Sequence, residues 1–69
     1  MVEVFKTNIQ EKKQATLLFE ILAKQFPLFK INFDLEDCDR ILRVEGDVIS
    51  HDRIITIIHT NGYQCQVLD

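Results

Sequence analysis

Sixty-nine residues, 46% of them hydrophobic, with eleven acidic and eight basic side chains and a formal charge of −3, describe one small folded domain over residues 1–69. The acidic balance, with Lys12-Lys13 as the only adjacent basic pair, argues against a nucleic-acid partner. No stretch approaches the roughly 20 apolar residues that span a bilayer, and Glu3 and Lys6 interrupt any leader-like apolar run, so the expectation is a cytoplasmic protein with no membrane partner. Cys38 and Cys65 match no common zinc-ligand spacing and are expected as two free thiols.

In chain order, Val2 and Val4 alternate with Glu3 and Phe5, which predicts a short strand burying the two valines and turning Phe5 toward the open side. Thr7-Asn8 offers two side chains able to cap the helix that follows. From about Gln10 to Gln25, Ala15, Leu18, Leu22 and Phe26 recur at helical spacing, Leu17 and Ile21 widen the stripe, and Glu11, Lys12, Lys13, Glu20 and Lys24 hold the outer face. Pro27 ends this helix.

Phe29, Ile31, Phe33 and Leu35 then alternate with Lys30, Asn32 and Asp34, a strand with one apolar and one polar face. Glu36-Asp37-Cys38-Asp39 reads as an acidic turn. Ile41-Leu42-Arg43-Val44 forms the second arm of a hairpin, with Leu42 and Val44 inward and Arg43 outward. Gly46 and Asp47 break the pattern. Ser50 caps a second helix with Asp52 in its first turn, Ile49 and Ile54 stand at staple positions, and Ile54, Ile57 and Ile58 form its apolar stripe. Asn61-Gly62 stops it. Tyr63, Cys65 and Val67 alternate in a last strand, with Cys65 inward as a structural thiol.

Strand, helix, strand, strand, helix, strand, with right-handed crossovers, implies an α+β ferredoxin-like βαββαβ sandwich: a four-stranded antiparallel sheet with two helices on one face. Lys30, Asn32, Asp34, Arg43 and Gln66 are left for the opposite face.

Three segments carry a family resemblance: Phe33-Asp34-Leu35-Glu36, Ile41-Leu42-Arg43-Val44-Glu45-Gly46, and Ile57-Ile58-His59-Thr60-Asn61-Gly62-Tyr63-Gln64-Cys65-Gln66-Val67. In order and spacing they resemble the heavy-metal-associated, copper-chaperone-like domains over nearly the whole chain. That family holds Cu(I) with a Met-x-Cys-x-x-Cys loop between its first strand and first helix, because soft thiolates suit the ion. With Val4 set on the family's last strand valine, Thr7 stands at the methionine position and Ile9 and Lys12 at the cysteine positions. Ile9 has no donor atom and Lys12 opposes a cation. The resemblance therefore implies a degenerate member without the metal site or any cofactor.

The inferred topology gathers Thr7, Asn8, Cys38, His59, Asn61 and Tyr63 at one end. Cys38 with Glu36, Asp37 and Asp39 offers an alternative thiolate–carboxylate metal site, with His59 a further candidate ligand. The plainer reading is a polar hairpin turn and a helix-end histidine. Thr7, Asn8 and Lys12 offer an anion site at a helix N-terminus, with Tyr63 as a further binding candidate, although capping alone explains Thr7 and Asn8. His51 belongs at the far end. Nothing supplies a nucleophile held against an oriented base, so no enzymatic activity is expected. Two functions stay open: a non-catalytic protein-interaction module, with an unidentified protein partner or weak self-association through an edge strand or the open face, and a metal-binding or transfer protein built on Cys38.

Overall fold

A computed structural model describes residues 1–68. Its elements follow in the order β1 (Val2–Thr7), α1 (Lys12–Gln25), β2 (Lys30–Asp34), β3 (Ile41–Glu45), α2 (His51–Thr60) and β4 (Cys65–Val67). All strand pairs are antiparallel, in the order β2-β3-β1-β4. The architecture is the expected ferredoxin-like sandwich, with β2 and β4 as edges and both helices on one face.

The helix boundaries have local causes. Glu11 and Gln14 form a capping box, in which Gln14 Oε1 accepts from the N–H of Glu11 at 3.1 Å and of Gln10 at 3.2 Å. This corrects the expectation that Thr7 and Asn8 cap α1: both lie upstream of its start, and their side chains bond elsewhere. Ser50 does cap α2, its hydroxyl accepting from Arg53 N–H at 3.4 Å. Gly62 leaves α2 at φ +94°, a left-handed conformation glycine adopts without a Cβ penalty.

Phe5, Ile9, Leu18, Leu22, Leu42, Val44, Ile54 and Ile58 are fully buried and fill the space between sheet and helices. Ala15, Leu18 and Leu22 are the buried stripe of α1, continued by Phe26 just beyond it. Leu17, expected to widen that stripe, is exposed. At about 100° per residue it lies some 200° round the helix from Ala15. Ile21 and Ile57 are half-buried against the core.

The larger correction concerns β1. Phe5, paired with Leu42 and Val67, is buried in the core, whereas Val2 is 49% exposed and Val4 half-buried. A phenyl ring removes more apolar surface than a valine, so the register that buries Phe5 is favoured. The ring of His51 meets Phe5 edge-on, centroids 5.7 Å apart, and its Nε2 lies 3.0 Å from Glu3 Oε2. Val2 and Val4 share the open face with Lys6, Ile41, Arg43, Asn32 and Gln66, so its apolar residues are the two valines and the buried Ile41 and not Phe5.

Candidate functional site

Three connections converge at one end of the sheet, as the topology implies. The hydroxyl of Thr7 donates to Arg40 O at 2.6 Å and accepts from Ile9 N–H at 3.3 Å. The Gln64 N–H donates to Asn8 Oδ1 at 2.8 Å. Arg40, in the left-handed region at φ 48°, donates from Nη1 to Leu35 O at 2.9 Å and Gln10 O at 3.4 Å. Thr7 and Asn8 thus tie the β1–α1 loop to its neighbours, and Thr7 is buried. Tyr63 is half-buried against the core, its N–H on Ile58 O.

At the positions that the family resemblance assigns to metal ligands, Ile9 is a fully buried core residue and Lys12 is exposed on the first turn of α1. Ile9 is a hydrocarbon side chain within the hydrophobic core and offers no atom to a metal.

The β2–β3 turn gathers a different donor set. The Asp37 and Asp39 carboxylates and the Cys38 thiol place ligand atoms within 4.8 Å of one another. Cys38 is exposed. Asp37 Oδ1 already accepts from Asp39 N–H at 2.9 Å, and Lys6 Nζ lies 3.7 Å from Asp39 Oδ1. One thiol among two carboxylates is a harder set than the paired thiolates that suit Cu(I), and fits Cu(I) poorly. His59 does not belong to this group. It lines a separate polar depression with Lys6, Thr7, Asn8 and Gln64. Cys65 is buried as expected, and burial pushes its thiol up to about 12. His51 sits at the start of α2, against Glu3 and Phe5.

An edge strand was expected to carry an interaction, but which edge, and the groove beside it, was not singled out from the sequence. Among the described residues β2 pairs only with β3, so its outer side is an unpaired edge. Beside it runs a shallow groove of about 240 Å³, floored by Ala15 and Ile31 and flanked by Lys12, Thr16, Phe19 and Phe33. Phe19 is 42% exposed. The strand order of a βαββαβ sandwich, which makes β2 an edge, was the signal that could have found it.

No protein-family profile matches this chain, and neither a curated protein nor a solved structure matches it significantly.

Proposed function

We propose that this chain is a non-catalytic protein-interaction module that docks an extended segment of a partner along the β2 edge. The carrying observation is the juxtaposition of the unpaired edge with the groove holding Phe19 and Phe33. Strand addition uses those two parts: the edge backbone supplies hydrogen bonds, and the groove receives alternate side chains. Descent from the heavy-metal-associated fold agrees with the three resembling segments, and Ile9 in the core agrees with a lost metal loop. The test is photo-cross-linking in the cells that make the protein, with Asn32→p-benzoylphenylalanine on β2 and Thr56→p-benzoylphenylalanine on the exposed side of α2. A protein adduct from position 32 and none from position 56 is expected. Adducts only from position 56 would move docking off this edge, and none from either would remove the interaction reading.

A second reading, metal binding at the β2–β3 turn, draws on the mutual approach of the Asp37, Cys38 and Asp39 ligand atoms. Lys6 Nζ stands 3.7 Å from Asp39 Oδ1, and its positive charge would oppose a cation there. Titration of the reduced protein with Zn(II) and with Cu(I), followed by amide shifts of residues 36–40, tests it. Saturable binding lost in Cys38→Ser supports this reading, and flat shifts with both ions remove it.

A further inference from the structure

We propose that the segment seated on the β2 edge belongs to a second copy of this chain, paired antiparallel through β2 about a two-fold axis at Asn32. This rests on the edge-docking reading above and names its partner. β2 carries one charge at each end and of opposite sign, Lys30 and Asp34, each two residues from Asn32. When Asn32 faces its own copy, Lys30 stands opposite the second copy's Asp34, and Asp34 opposite the second copy's Lys30. Both pairs lie on the polar face, where opposite charges directly across a ladder attract. Registers shifted by two residues place Lys30 against Asn32, or Asn32 against Asp34, and lose both pairs. An odd shift sets polar residues against apolar ones across the ladder. Only the register centred on Asn32 is fully complementary.

The other side of the sheet agrees with this. The same register sets Ile31 opposite the second copy's Phe33 on the helix side. The flank of α1 beside that edge presents Lys12, Thr16 and Phe19 to the groove. Strand edges that must stay single are blunted with proline, bulges or unmatched lysine. β2 has no proline, its register with β3 is unbroken, and its one lysine is matched in this pairing. A two-fold contact of this kind is self-complementary and closed.

Sedimentation equilibrium from micromolar to millimolar protein tests the proposal on the full chain, with Lys30→Glu, Asp34→Lys and the double variant. The wild-type mass is expected to rise with concentration from 8.1 kDa toward twice that. Each single charge reversal creates two like-charge pairs per dimer and is expected to weaken association about tenfold. The double variant restores opposite pairs and is expected to return to within about threefold of wild type. Asp34 Oδ1 also accepts from Glu36 N–H at 3.3 Å, so Asp34→Asn, which keeps that acceptor, is included and is expected to fall between wild type and Asp34→Lys. Both positions are exposed, and thermal melts confirm that each variant is folded. A monomer at every concentration overturns the proposal, as do a dimer indifferent to the single reversals and a double variant as weak as either single. A monomer whose position-32 probe still captures a different protein overturns self-pairing and leaves the interaction module standing.

Discussion

Thr7 and Arg40 share one carbonyl: the Thr7 hydroxyl donates to Arg40 O at 2.6 Å, and the Thr7 N–H reaches the same oxygen at 3.2 Å. Arg40 returns the link through its guanidinium, which holds the carbonyls of Leu35 and Gln10. The β1–α1 loop and the β2–β3 turn are therefore one bonded unit.

Thr7→Val keeps the shape of the side chain, removes a donor, and leaves the Ile9 N–H without its acceptor. It is expected to cost about 1–3 kcal/mol in urea unfolding. Thr7→Ser, which keeps the hydroxyl, is expected to recover most of this. A loss in Thr7→Ser with none in Thr7→Val would show that the methyl group, and not the bond, is what matters.

The β1 register can be tested directly. Phe5→Ala empties a fully buried site and is expected to cost about 3–5 kcal/mol, enough to unfold much of so small a domain. Val2→Thr, on the exposed side, is expected to stay within about 0.5 kcal/mol. Circular-dichroism melts of the two variants separate them.

Gly46 lies under the ring of Phe29. A Cβ there would run into the ring, which itself stacks on Phe26 with centroids 5.0 Å apart. Gly46→Ala is expected to destabilise by about 1–3 kcal/mol through overpacking. Gly46→Ala combined with Phe29→Leu is expected to lose less than the two single costs added together, as a thermal double-mutant cycle would show.

The two thiols are expected to behave differently. Cys38 is exposed and Cys65 buried, so a thiol reagent near pH 8 is expected to label Cys38 at once and Cys65 only as the domain opens. Burial also holds Cys65 protonated, its ionisation moved from 9.0 to about 12. In the unfolded chain the thiol ionises near its ordinary value, so above about pH 9 the native state binds more protons than the unfolded one. The stabilising contribution is complete below that pH and is lost as pH rises toward 12, with a slope approaching ~1.4 kcal/mol per pH unit. Urea midpoints at pH 8 and pH 10 should fall more for wild type than for Cys65→Ala. Parallel falls would mean that Cys65 is not the cause.

The alternation of Phe29 to Leu35, the Leu42–Val44 pattern, Pro27 and Ser50 made the element order and sheet legible in the sequence, because each is a local rule that the packing obeys. The β1 register was not legible. Val2 and Val4 occupy one parity and Phe5 and Thr7 the other, and only contact with Leu42 and Val67 decides between them. The helix cap was misplaced for a related reason: Thr7 and Asn8 are good caps in isolation, but their oxygens are used by Ile9 and Gln64. Arg40 carried no signal at all, since its left-handed backbone occurs at a residue with no preference for it. Of the candidate site residues, Cys38 lies in the turn as expected, whereas His59 could not be assigned by chain spacing because its neighbours come from β1 and the loop after it as well as from the segment before and within β4.

β1 is the first element in the chain and an inner strand of the sheet, paired on one side with residues 41–45 and on the other with residues 65–67. Phe5 therefore has a sheet neighbour, Val67, from the far end of the domain. The β2–β3 hairpin, whose partners are close in sequence, can form early. The pairing of β1 with β4 joins the strands most distant in sequence, so among the ladders of this sheet it carries the largest loop-closure cost.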